Sequence, residues 1–81
     1  HDMPQRVTLL CENRTMRNII DHFGEDVDTE VVDANHFRAT VDVAPTPPFF
    51  SWVFTFGGAI RIEGPADVLA KMRDMAAWLR T

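Results

Sequence analysis

Three arginines are the residues of this chain best placed to bind something. Arg6, Arg38 and Arg61 each stand next to an apolar residue in a segment where polar and apolar residues alternate. Alternate residues of a strand point to opposite faces of a sheet. If the apolar neighbours face a core, the three guanidinium groups share the other face, with Thr8 and Thr40 between them. Such a face is suited to an anion, a nucleotide or an acidic partner surface.

The same arginines have a second interpretation, as partners in salt bridges within the domain. Asp42 and Glu63 fall on the same face in the alternation, and the last predicted helix carries further acids. A sheet that binds single-stranded RNA normally displays stacking aromatic rings on that face, whereas every Phe here is predicted to lie in the core. Both interpretations, binding and internal salt bridging, stay open at this point.

Cys11 and His36 are the other side chains with reactive or metal-binding chemistry. Cys11 stands in line with Val7 and Leu9, which predicts a small core residue and not a nucleophile. His36 lacks a second His or a Cys at metal-ligand spacing, so we expect it to face solvent or to pack. The chain shows no Ser-His-Asp order, nucleophile elbow or phosphate loop. We therefore expect no enzymatic activity, no catalytic residue, no metal and no cofactor.

An acidic segment between positions 25 and 33 is predicted to form an exposed strand. It lacks the spacing of a calcium-binding loop and the distal glutamate of such a loop. Alternating acids on an edge strand guard a sheet against pairing with another sheet. The acids are Glu25, Asp26, Asp28, Glu30 and Asp33.

Composition sets the limits of the interpretation. The 81 residues are enough for one domain, and 46% hydrophobic with 25% charged residues is ordinary for a globular protein. A net charge of −4 argues against direct nucleic-acid binding. No apolar run is long enough to cross a membrane, and one cysteine fits a reducing compartment, so we expect a cytoplasmic protein. We expect residues 1–3 to be a cloning remnant and residues 4–81 to form the single domain.

Periodicity predicts the order strand, helix, strand, strand, helix, strand, helix. The first six elements form the βαββαβ pattern of a ferredoxin-like sandwich, and the seventh is an additional C-terminal helix, so the predicted class is α+β. Asn13 and Thr46 are predicted to cap the first two helices, and Gly24 and Gly57 to end them. The predicted segments are 5–11, 13–23, 27–33, 36–43, 46–56, 59–63 and 65–79.

The last helix carries an apolar stripe that must be buried somewhere. Its three candidate locations are the open face of the sheet, the edge of the domain and the surface of another chain. The outer end of the helix holds Met75, Trp78 and Leu79, and an exposed Trp78 there would be a natural contact anchor. The stripe consists of Val68, Leu69, Met72, Ala76 and Leu79.

Residues 6–79 resemble the C-terminal extension that follows the WYL domain in bacterial transcription regulators, called the WCX domain. The shared features are a first strand of Val and Leu, a helix ending in Phe23-Gly24, a strand hairpin with its turn at Ala34-Asn35, the aromatic helix FFSWVFTFGG, and a short strand running into Gly64-Pro65 before an amphipathic helix.

The resemblance implies a ferredoxin-like fold and a non-enzymatic role in dimerisation and regulation. It implies a domain order of winged helix-turn-helix, WYL domain and then this module, so that DNA is bound only through the helix-turn-helix domain. The implied partners are a second copy, forming a dimer, or the WYL domain of the same protein. The alternative is a domain that senses a small-molecule or nucleic-acid effector, similar to amino-acid-sensing domains. No site residue carries over, because the family's ligand-contacting residues belong to the WYL domain.

Overall fold

The computed structural model describes residues 3–79 and, at Leu79, the backbone only. A single 3-10 turn, Asn13–Thr15, precedes the first helix. The helices and strands are β1 (Gln5–Glu12), α1 (Met16–Phe23), β2 (Asp28–Val31), β3 (His36–Val43), α2 (Pro47–Phe54), β4 (Ile60–Gly64) and α3 (Ala66–Leu79).

The four strands form one sheet in the order β2-β3-β1-β4, and every neighbouring pair is antiparallel. Two of the connections, β1-α1-β2 and β3-α2-β4, pass over a strand that lies between their ends. This is the ferredoxin-like arrangement of a βαββαβ chain. The predicted α+β class, the sandwich and the additional C-terminal helix are confirmed.

One face of the sheet supplies the core. Val7, Leu9 and Cys11 of β1 are fully buried and join the inward residues of β3 and β4. All three helices add side chains to this same cluster, for example Ile19 from α1 and Val53 from α2. The opposite face, called the open face below, is therefore covered by none of them.

Of the three candidate locations for the apolar stripe of α3, the structure shows the edge of the domain. Val68 is fully buried in the common core, and Leu69, Met72 and Met75 pack against that core. Met72 borders the same cavity as Val53 and the inward residues of β4. The helix thus lies on the helical side of the sheet beside β4, and its first half is held by the domain itself.

Neither predicted cap makes a side-chain capping hydrogen bond, although Thr46 stands at the N-cap position of α2 as predicted. The Asn13 side-chain amide donates to the carbonyl oxygen of Ala34, 3.0 Å away, and so ties β1 to the hairpin turn instead of capping α1. Thr46 does precede α2, yet its side chain makes no capping hydrogen bond. Because Pro47 and Pro48 occupy the first two helical positions, the N–H of Phe49 is the remaining usual target of a cap, and the Thr46 side chain does not bind it.

The predicted end of α1 at Gly24 is confirmed, whereas α2 ends at Phe54, before the predicted stop at Gly57. Gly24 and Gly57 have φ angles of 105° and 59°, in the region that favours glycine. The Gly24 N–H donates to the carbonyl oxygen of Ile20 at 2.8 Å, which closes α1. No helix in residues 3–79 is both long and apolar enough to cross a membrane.

Candidate interaction surfaces

Strand register brings the three arginines to the open face, as the alternation predicted. Leu10 of β1 is the partner of Arg38 on one side and of Arg61 on the other. Arg6 lies opposite Asp42 at the far end of the β1–β3 pair. Residues directly opposite each other in a sheet share a face. The three guanidinium groups therefore belong to one surface.

Arg38 forms an ion-pair bridge across the open face. Its Nη1 lies 2.7 Å from Oε1 of Glu30 on β2, and its Nε lies 2.6 Å from Oε1 of Glu63 on β4. The second contact passes over β1, which separates β3 from β4. The hydrogen bond to Glu63, and then that to Glu30, raises the pKa of Arg38 above its usual value. Arg38 therefore acts mainly as an internal salt-bridging residue.

The other two arginines are less constrained. Arg6 Nε lies 3.6 Å from Oδ1 of Asp42, and both side chains are largely exposed, a geometry that contributes little to stability. Arg61 is exposed and forms no ion pair within the described part of the chain. It borders a cleft of about 350 Å³ together with His36 and Gly58. Arg61 is thus the arginine of this face whose charge remains available.

Reversing the charge of Arg38 should destabilise the domain, whereas the same change at Arg61 should not. Arg38→Glu replaces two close contacts with repulsion among three carboxylates, and Arg61→Glu removes no ion pair. We expect a lower thermal midpoint for R38E and an unchanged one for R61E, measured by circular dichroism. Equal midpoints for the two variants would show that the bridge contributes nothing.

A second surface lies between α2 and the outer half of α3. This groove, called the α2–α3 groove below, has a volume of about 500 Å³. Trp78 is 79% exposed at its rim, Met75 is half-buried, and the side chain of Leu79 lies outside the described residues. The lining is largely apolar, with one charge of each sign. The lining residues are Pro45, Pro47, Phe50, Lys71, Asp74, Met75 and Trp78.

The reactive side chains considered above occupy ordinary structural positions. Cys11 is fully buried, its thiol lies 3.7 Å from the carbonyl oxygen of Leu9, and burial raises its pKa to about 11. The Nδ1 of His36 lies 2.9 Å from Oδ1 of Asp33. The backbone N–H of Asn35 and then that same imidazole lower the pKa of Asp33. In residues 3–79 no three His, Cys, Asp or Glu side chains are grouped closely enough to hold a metal.

One aromatic cluster was not foreseen from the sequence. The ring of His22 stacks on Trp52, with centroids 4.2 Å apart and planes at 23°. Phe23 and Phe56 meet the same Trp52 edge to face. The helical spacing of Trp52 indicated a core position for it, but nothing local to His22 indicated a stacking partner so far along the chain.

Comparison with protein families agrees with the resemblance found in the sequence. The family model of the WCX domain matches residues 3–79. This chain is a WCX domain. WCX domains occur in WYL-type regulators, which places this domain in a regulatory context. No curated protein and no solved structure matches the chain.

Proposed function

We propose that this WCX domain is a non-enzymatic regulatory module of a bacterial transcription regulator, and that it self-associates through the α2–α3 groove. The observation that carries the proposal is Trp78, a large aromatic side chain 79% exposed beside an apolar groove. Exposed Trp residues next to apolar pockets are typical centres of protein interfaces. Val68 already anchors α3 in the core, so its outer end is presented on a fixed support.

The chemistry of the groove supports a protein partner. Lys71 and Asp74 lie on the same helix and line the groove with Met75. A two-fold dimer places each residue of one copy near the same surface of the other, so Lys71 can meet Asp74 of the partner around the apolar centre. Apolar centres with a polar rim are the usual composition of stable interfaces.

Sedimentation equilibrium over a wide concentration range tests the proposal directly. We expect a reversible dimer, and Trp78→Ala should weaken its association at least tenfold, about the effect of losing one interface anchor. Val31→Ala is the matched control, because Val31 is also highly exposed but lies on β2, at the other edge of the sheet from β4. It should leave the association unchanged.

If the domain is a monomer at every concentration, the proposed partner of the α2–α3 groove becomes the WYL domain of the same protein. Titration of that isolated domain into this one should then show binding that Trp78→Ala weakens. If neither self-association nor WYL binding depends on Trp78, the groove is not an interface and the proposal is wrong.

The α2–α3 groove also favours the second candidate function, effector sensing. Its volume of about 500 Å³ lies within the range of small-molecule sites. A ligand that binds the folded state raises the thermal midpoint in a saturable way. Thermal shifts across a metabolite panel therefore separate the two functions, because a sensor responds to one compound class and a protein interface to none.

A further inference from the structure

β2 forms one edge of the sheet, and no helix covers it. It pairs with β3 on one side, and all four of its residues, Asp28–Val31, are exposed. Val31 is 85% exposed, the most exposed of the large apolar side chains in the described residues. An edge strand presents a row of backbone groups that can pair with another chain.

The register shows which backbone groups point outward. The N–H of Val32 donates to the carbonyl oxygen of His36, 3.1 Å away. Hydrogen-bonded and non-hydrogen-bonded pairs alternate along an antiparallel ladder. Glu30 and Asp28 therefore bond inward to β3, and the N–H and C=O groups of Thr29 and Val31 point away from the sheet.

The two faces of β2 have different chemistry. Thr29 and Val31 lie opposite Ala39 and Phe37, on the helical side of the sheet. Asp28 and Glu30 lie on the open face. A strand added at this edge would therefore meet carboxylates on one face and a bare Val side chain on the other.

The charge of this edge selects against a second copy of the domain. Residues 24–35 contain five acids and no Lys or Arg. Arg38 engages Glu30, while Asp28 forms no ion pair with any described residue. Two copies paired through β2 would bring four carboxylates together, and like charges in adjacent strands destabilise pairing. A strand that carries Lys or Arg would instead be attracted by these carboxylates.

We propose that the β2 edge accepts an extended basic segment of a partner protein as a fifth strand. The segment alternates Lys or Arg, facing Asp28 and Glu30, with β-branched residues that cover Val31. The outward backbone groups of Thr29 and Val31 supply the hydrogen bonds, as in other cases of strand addition. The carboxylates of β2 repel a second copy of the same strand, and they attract the basic residues of the partner segment.

The probe is a short end-blocked peptide in which Lys alternates with Val. Binding is followed by nuclear magnetic resonance of the isotope-labelled domain. We expect saturable shifts along β2 and protection of the Thr29 and Val31 amide protons against exchange. A peptide with Glu in place of Lys should bind at least about tenfold more weakly. A peptide with Pro in place of Val should behave likewise, because it lacks the backbone donors.

Two variants of the domain complete the test. Val31→Pro removes an outward N–H that the fold does not use, and Val31→Lys places on the edge a charge that typically prevents strand addition. Both should abolish protection at Thr29 while keeping the folded spectrum. Asp67→Asn, in the first turn of α3, is the charge control and should bind as the parent does.

Three results would overturn the proposal. Equal affinity for the alternating and Pro-containing peptides would indicate adsorption by charge alone. Equal affinity for the Lys and Glu peptides would remove the basic selectivity. Concentration-dependent protection of Thr29 and Val31 without peptide would show that a second copy occupies the edge.

Discussion

Leu9→Ala is expected to destabilise the domain by about 3 kcal/mol, the typical cost of truncating a buried Leu. Leu9 is fully buried on β1, a central strand, between Ala39 of β3 and Ile62 of β4. A domain of this size has a total stability of roughly 4–12 kcal/mol. The loss therefore removes a large fraction of the stability and should appear as a clear fall in the urea midpoint.

Leu10→Ala provides the matched control for that measurement. Leu10 is the next residue of the same strand, but it is half-buried on the open face between Arg38 and Arg61. Because less apolar surface is lost there, we expect less than about 1 kcal/mol. Equal effects of the two substitutions would mean that the open face is packed in solution, for example by a partner.

The Cys11 thiol is expected to react with disulfide reagents at least about a hundredfold more slowly in the folded domain than in the unfolded chain. Thiolate is the reactive form. Burial raises the pKa from 9.0 to about 11, and the side chain is fully buried. Two pKa units lower the thiolate fraction about a hundredfold at pH 8. Rates measured with and without urea test this. A fast native reaction would contradict the buried position.

The same raised pKa predicts how stability depends on pH. The unfolded thiol ionises near its ordinary pKa and the folded one only near pH 11, so the folded state keeps a proton that the unfolded state loses. The contribution of Cys11 is fully present below about pH 9 and falls as pH rises toward 11. Cys11→Ala should therefore show a shallower loss of stability than the parent between these pH values in urea titrations.

Local patterns determined most of the elements. Alternation over residues 36–43 predicted β3 with the bounds that the structure has, because one buried face fixes the side-chain period. Apolar spacing predicted α1 and α2, and Gly24 ends α1 as predicted. These features depend on neighbours within one or two turns, so a single sequence contains them.

Contacts between segments that are far apart in the sequence could not be predicted from the sequence. Asn13 is a common N-cap residue type, which is why the sequence predicted a cap. The fold instead places the carbonyl oxygen of Ala34 3.0 Å from the Asn13 side-chain nitrogen, and Asn13 donates its hydrogen bond there. Glu30 was not foreseen as a partner of Arg38, since it depends on the register of β2 against β3. The stacking of His22 on Trp52 likewise requires that α1 and α2 lie side by side.

The sequence by itself determined the element order, the inward residues of each strand and the grouping of three arginines on one face, because these follow from local periodicity. Tertiary structure alone decided which arginine is neutralised, where α3 packs, that Trp78 is exposed and which strand β2 pairs with. Those properties depend on strand order and on how three helices share one face of a sheet. No local pattern encodes such long-range geometry. The tertiary structure places the two proposed interfaces, the α2–α3 groove and the β2 edge, on opposite edges of the domain.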